Sequence, residues 1–186
     1  MREIVYLVHT SLDGCVEGPN GEFDWAFMGP ELSEHSLELT ANSGEFAYGR
    51  KVWDMMSSYW PDALTTADDP HDIAFAPVWH QTPKIVFSRT LEKADWNTRV
   101  VGGDLTEAVT ALKAEPGGNV LLMGGGELAA ALTAEGLIDE YQVFVHPVVL
   151  GGAKRPFAEG TARLGLELVE SRVFDGRIVL LRYRRA

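Results

Sequence analysis

Three places in this chain set glycines, or cationic and hydroxyl side chains, directly after a short apolar run, and each suits phosphate. In Val120-Leu121-Leu122-Met123 the run is followed by Gly124, Gly125 and Gly126, then by the helix formers Glu127 to Leu132. A turn without side chains lets the backbone reach hydrogen-bonding distance of a ligand. The helix opening there adds unpaired N–H groups and a partial positive charge. Gly49-Arg50-Lys51 repeats the arrangement after Glu45 to Tyr48. Its cations stand in a first helical turn, where they oppose the macrodipole unless an anion lies nearby. Ser88-Arg89-Thr90 ends a third run, Lys84 to Phe87, and flanks a guanidinium with two hydroxyls, a set suited to a phosphate monoester. A fourth candidate is the carboxylate of Asp13 in Ser11-Leu12-Asp13-Gly14. Its plainest role is to accept backbone N–H groups in its own turn.

The elements that must position these groups can be read along the chain. Ile4 to His9 is rich in β-branched and aromatic residues and reads as a central first strand. The turn-rich stretch from Thr10 to Trp25 is long for a connection, as lids and binding loops are. Pro30 to Asn42 reads as an amphipathic helix. Its Glu31, Glu34, His35 and Glu38 form a solvated face from which one acid could enter a cleft. Glu45 to Gly49 is a strand that turns into a helix near Arg50, and the proline-broken segment Pro61 to Gln81 is expected to be irregular. Further strands follow at Lys84 to Phe87 and Val100-Val101, then a helix over Asp104 to Ala114. After the triple-glycine helix come a strand at Tyr141 to His146 and a second glycine-rich loop with two cations, Gly151 to Phe157. Leu166 to Phe174 and Arg177 to Arg184 form a hairpin around Asp175-Gly176. Strand alternates with helix through Leu132 and is unaccompanied afterwards. The pattern predicts a mostly parallel sheet with an antiparallel edge.

Composition narrows the function classes. A chain of 186 residues, 46% hydrophobic and 23% charged, is sized for one core, so residues 1–186 are expected to form a single domain. A net charge of -11 argues against a nucleic-acid backbone as partner. Cys15 is the only cysteine, which excludes an internal disulfide and any zinc site built on paired thiolates, and suits a reducing cytoplasm. The apolar start is too short for a signal peptide core or a membrane span.

Taken together, Ser-Leu-Asp-Gly from Ser11, Tyr48-Gly49-Arg50-Lys51, Val86-Phe87-Ser88-Arg89, Met123 to Leu132 and His146 to Phe157 occur in the order found in dihydrofolate-reductase-like domains. The chain resembles most the branch containing the RibD C-terminal domain, the reductase of riboflavin biosynthesis. The resemblance implies an α/β fold of three layers, α/β/α, with a mostly parallel central sheet and an antiparallel C-terminal hairpin edge. It implies NADPH as cofactor, a small-molecule substrate and a homodimer. Gly49 and Arg50, with Lys51 beside them, fall where the family contacts the cofactor phosphates. Ser88 and Arg89 fall where it holds the 2′-phosphate that separates NADPH from NADH. Met123, Gly124, Gly125, Gly126, Glu127 and Leu128 fall at the pyrophosphate turn, with a cis peptide expected between Gly124 and Gly125. Ser11, Asp13 and Gly14 would line the substrate side of the nicotinamide, with Trp25 near the same cleft and Asp13 as the catalytic candidate.

Two departures shape the expectation. No residue aligns cleanly with the pterin-binding acid on the first helix of classical dihydrofolate reductases, where Glu31, Glu34 and Glu38 all compete. The zinc deaminase signature of bifunctional riboflavin enzymes is absent, so the implied reaction is the reduction alone, resembling that of 5-amino-6-(5-phosphoribosylamino)uracil reductase. The alternative is a protein of the same fold that binds the nucleotide as a sensor, without turnover.

Overall fold

The computed structural model describes residues 1–152, 154–157 and 163–186; Ala153, inside the expected second glycine-rich loop, lies outside the described residues. Four short apolar runs build the middle of the sheet: β1 (Ile4–Ser11), β2 (Glu45–Gly49), β3 (Lys84–Phe87) and β5 (Val120–Met123). They lack polar alternation because both of their faces are covered. With β4 (Thr98–Val101), β6 (Glu140–His146), β7 (Leu166–Phe174) and β8 (Ile178–Arg185) they form one eight-stranded sheet ordered β4-β3-β2-β5-β1-β6-β8-β7. Pairing is parallel from β4 to β6 and antiparallel at β6–β8 and β8–β7, as the chain pattern predicts. Asp175 and Gly176 both take positive φ, 51° and 64°, the geometry of the expected two-residue hairpin turn.

Alternation along β1 divides the core. Ile4, Tyr6 and Val8 point to the layer of α4 (Leu105–Ala114) and α5 (Gly126–Ala134), packing with Val109, Leu112, Ala129 and Leu132. Val5 and Leu7 point to the other layer, formed by α1 (Pro30–Ala41), α2 (Arg50–Thr66) and α3 (Pro70–Gln81), where Leu32, Trp53, Phe75 and Trp79 are buried. At the far side of the sheet, buried Glu140 accepts from Arg182 Nε at 2.7 Å, Arg184 Nε at 3.0 Å and Gln142 Nε2 at 2.8 Å. The two arginines alternate along β8, so this carboxylate fixes the β6–β8 register.

Helix replaces the irregular segment expected over Pro61 to Gln81. α2 continues through Pro61 to Thr66, and α3 contains Pro77. An interior proline costs about 3 kcal/mol by removing a hydrogen bond. Burial outweighs that here. His71, Phe75 and Trp79 recur every fourth residue on the inner face of α3, and the Trp79 indole stacks on that of Trp53 with centroids 6.2 Å apart. Asp69 caps the helix and Pro70 occupies its first turn, so the N-terminal signal was present in the sequence although the prolines masked it.

Candidate functional site

The phosphate-suited turns leave the carboxyl ends of three adjacent strands, β3, β2 and β5, with the Asp13 turn following β1 beside them. Register fixes their neighbourhood: Gly49 pairs with Phe87, so Arg50 and Ser88 leave the sheet side by side. Gly124 N donates to Leu7 O at 2.9 Å, which ties the triple-glycine turn to β1. This is the edge at which open α/β sheets take ligands.

Gly49 is the N-cap of α2 and Gly125 that of α5, and neither helix has a side-chain cap. A Cβ placed on Gly125 would sit 3.9 Å from Gly49 N and 3.5 Å from Val52 Cγ2, so the two N-termini meet with glycine between them. Their first N–H groups and macrodipoles converge on one spot. Gly124 and Gly125 hold φ of 62° and 77°, which glycine alone adopts at little cost. The expected cis peptide is absent, since no peptide among the described residues is cis. Successive left-handed glycines make the reversal instead. Gly126 is constrained from outside: a Cβ there would meet Arg155 O at 2.8 Å.

Cations surround this cradle. Exposed Arg50 donates through Nε to both oxygens of Asp54, at 2.8 and 2.9 Å. Lys51 Nζ reaches Glu127 Oε1 at 2.6 Å and links the first turns of α2 and α5. That pair holds the Lys51 pKa up and the Glu127 pKa down, but both groups are exposed and the bond contributes little to stability. Ser88 Oγ accepts from Thr90 N at 3.3 Å and Leu91 N at 3.1 Å, which shapes the turn after β3. Arg89 is exposed and makes no ion pair among the described residues. Leu128 lines the cradle beside Gly49, its Cβ 3.5 Å from where a Gly49 Cβ would stand, and Met123 Sδ lies 3.5 Å from the Tyr48 hydroxyl. The set suits an anionic ligand: two helix N-termini without side-chain caps, with exposed cations and a hydroxyl at the rim.

Asp13 departs from expectation. Its carboxylate accepts from Ser11 Oγ at 2.5 Å, Gly151 N at 2.9 Å, Leu150 N at 3.1 Å and Cys15 Sγ at 3.5 Å. The Ser11 hydroxyl bond, then those from Leu150 and Gly151, hold its pKa well below the usual carboxylate range. Asp13 is therefore an ionised clamp joining the β1 turn to the segment after β6, not a proton donor at neutral pH. Ser11 is buried and Gly14, at φ 76°, faces Arg155 Nη1. The Arg155 guanidinium donates to Asp13 O, so the Lys154 to Phe157 segment spans the turns after β1 and β5.

Beyond Asp13, the inner face of β1 and β6 carries two histidines not singled out in the sequence, next to Ser11, which was. His9 and Ser11 follow Leu7 on that face, aligned with Phe144 and His146 of β6. His9 Nδ1 lies 2.8 Å from His146 Nε2, with the His9 ring stacked on Phe144 at 5.0 Å. Trp25 stands edge-on to His146 at 5.4 Å, so the long loop closes over this pair. The three competing acids are elsewhere. Glu31 accepts from Asp175 N at 2.6 Å, while Glu34 and Glu38 are exposed. The α1 side chain that meets the sheet is His35, 4.9 Å from Phe174 and 6.0 Å from Phe144. The only hint in the sequence was the two-residue spacing of His9 and Ser11, and a pairing of β1 with β6 was needed to interpret it.

A broad depression of about 780 Å³ lies at the opposite edge, lined by Arg2, Glu45, Lys84, Arg99 and Glu115. Two arginines and two glutamates there pair with one another, Arg2–Glu45 and Arg99–Glu45 at 3.1 Å and Arg99–Glu115 at 2.9 Å, while Lys84 donates to the Thr82 and Trp96 carbonyls. The parallel strands β1 to β6 begin at that edge and deliver their carboxyl ends at the other.

Comparison with known proteins agrees with the geometry. The chain is 32% identical over 182 residues to the uncharacterized protein YyaP of Bacillus subtilis (strain 168), covering 98% of this chain and 94% of YyaP. A candidate riboflavin biosynthesis protein of Shewanella sp. PV-4 superposes with a TM-score of 0.77 at 25% identity, covering 100% of this chain and 99% of that one. Dihydrofolate reductase from Enterococcus faecalis, solved with NADP(H), has the same fold at a TM-score of 0.65 and 12% identity, over 98% of this chain and 96% of that one. The deaminase/5-amino-6-(5-phosphoribosylamino)uracil reductase of Thermotoga maritima matches at 0.70 and 13% identity, over 100% of this chain and 57% of the enzyme. The model of the RibD C-terminal domain matches residues 2–180, and the chain belongs to that family.

Proposed function

We propose that this protein is an NADPH-dependent reductase. It delivers hydride to a C=N or C=O carbon of a small pterin-, pyrimidine- or ribosylaminopyrimidine-like substrate. The observation that carries the reading is the meeting of two uncapped helix N-termini at Gly49 and Gly125, rimmed by Arg50 and Lys51. Backbone from Met123 to Leu128 would hold the pyrophosphate, and Ser88 with Arg89 the 2′-phosphate. When bound, the nicotinamide supplies the hydride. Ser11, Gly14 and Trp25 would border the substrate, while Asp13 keeps the turn closed around it. Exposed Leu168, Val169 and Val173 on edge strand β7 support a homodimer. Among the described residues no helix is long and apolar enough to cross a membrane.

The test is NADPH oxidation followed by absorbance with a panel of pterins, ribosylaminopyrimidines and small aldehydes. Turnover with one panel member, preferring NADPH to NADH, is the expected result. Quenching of tryptophan fluorescence by NADPH without any turnover would favour the sensor, and no binding at all would remove both readings.

A further inference from the structure

On the inner face of β1 and β6, two imidazoles share one hydrogen bond, His9 Nδ1 to His146 Nε2 at 2.8 Å. Both rings are held neutral. Burial lowers the His9 pKa to about 3, helped by His146 and then His71, and burial followed by the Arg177 charge lowers that of His146 to about 4. Two neutral imidazoles can share a single proton in only two ways, and the choice sets the role of the two outer nitrogens. If His9 donated, His146 Nδ1 would carry a proton. That atom is sealed, on a residue only 1% exposed, and has no hydrogen-bond partner among the described residues. A buried N–H with nothing to bond is the costlier defect, because a bare acceptor is left unsatisfied more readily than a donor. His146 is therefore the donor, and the proton of His9 sits on Nε2. His9 as a residue is half-buried, and the one hydrogen bond its ring makes among the described residues is that of Nδ1 to His146. Rotation is blocked by the Phe144 stack at 5.0 Å, and Trp25 fixes His146 from the loop side at 5.4 Å.

We propose that His9 Nε2–H is a hydrogen-bond donor to the reducible C=O or C=N group of the substrate, and that His146 is the residue that positions it. The donor role rests on the reductase reading, whereas the tautomer does not. The place fits: His9 lies two residues past Leu7, whose carbonyl accepts from Gly124 N, and two before Ser11, where the substrate side begins. When the substrate carbon accepts hydride, its π pair moves onto oxygen or nitrogen. A neutral N–H stabilises that growing charge without being consumed, as a preorganised donor does, and a water proton completes the product. A planar heterocycle bearing a ring carbonyl or imine is the substrate class this donor selects.

The experiment is imidazole ¹H–¹⁵N NMR of the whole protein at pH 7, first without cofactor. Both His9 and His146 should have protonated Nε2 and bare Nδ1. A His9 with protonated Nδ1 would overturn the assignment, whatever the NADPH assay gives. His146→Phe should leave the fold intact and return His9 to a mixture of tautomers, while an unchanged His9 would remove the positioning role. Lumazine, a pteridine with ring carbonyls, is then added at millimolar concentration with NADP⁺. The His9 Nε2 resonance should move, and a resonance that stays still overturns the donor role. His9→Leu should bind lumazine about tenfold more weakly, one hydrogen bond's worth, and His9→Gln, whose amide replaces the Nε2 donor, should recover most of the loss. Equal affinity in all three proteins would also overturn it.

Discussion

The helix N-termini of this protein fall into two groups that differ in one respect. Where α1, α3 and α4 begin, an aspartate accepts their first N–H groups. Asp175 takes Glu31 N at 3.0 Å and Leu32 N at 3.2 Å, Asp69 takes His71 N at 2.8 Å, and Asp104 takes Glu107 N at 2.9 Å. Where α2 and α5 begin the N-cap is glycine, and no side chain among the described residues accepts their first N–H groups. A cap stabilises a helix by about 1 kcal/mol, so two of the five helices among the described residues forgo it, and they are the two whose ends meet at the carboxyl edge of the sheet. The difference teaches where the protein keeps N–H groups available for an anion from outside. Asp13 makes the point from the other side, as an internal anion that already has its donors.

The sharpest way to break the comparison is to convert one group into the other. Gly49→Asp places an N-cap carboxylate on α2, in a backbone of φ -79° and ψ 162° that suits it, and its Cβ would meet Leu128 Cβ at an ordinary 3.5 Å. Two effects of opposite sign should follow. The midpoint of thermal unfolding should rise by about 2–4 °C for about 1 kcal/mol. NADPH binding by tryptophan fluorescence should weaken by about 100-fold or more, roughly 3 kcal/mol, because the new carboxylate takes the N–H groups and repels phosphate. A variant that binds NADPH normally would show that the α2 N-terminus is not the phosphate site.

Asp104→Ala sharpens the contrast with a single effect. Loss of the α4 cap should lower stability by about 1 kcal/mol in denaturant unfolding, with NADPH affinity unchanged. The smallest signal belongs to Asp13. Its folded-state pKa is depressed, so the stability it contributes is present above its unfolded value of about 3.9 and is lost as pH falls below that range. Asp13→Asn should therefore flatten the acid side of a Tm-against-pH curve below about pH 4. A curve as steep as that of the unmodified protein would show that the clamp forms equally well without the charge.

Much of this arrangement was legible in the residues. Glu45 to Gly49, Lys84 to Phe87 and Val120 to Met123 are strands with the bounds their apolar runs imply, because buried parallel strands carry no competing pattern. The glycine turns followed from local chemistry and are present at the expected edge. α3 was hidden because proline is a local breaker, whereas the burial of Phe75 and Trp79 that overrides it is tertiary. Asp13 read locally as serving its own turn and, by resemblance, as the catalytic candidate; its carboxylate takes N–H groups from Leu150 and Gly151, far along the chain, which neither reading contained. The His9–His146 pair likewise depends on which strand lies beside β1, which a single sequence leaves open.

The position of β1 at the centre of the sheet also governs the order in which the protein can be assembled. Synthesis delivers β1 well before either neighbour, since β5 starts at Val120 and β6 at Glu140. α1 likewise gains its Asp175 tether late, since Asp175 lies 144 residues beyond the Glu31 it holds. A nascent chain that stops short of Val120 has no strand to hydrogen-bond to either edge of β1, so β1 waits for partners made long after it.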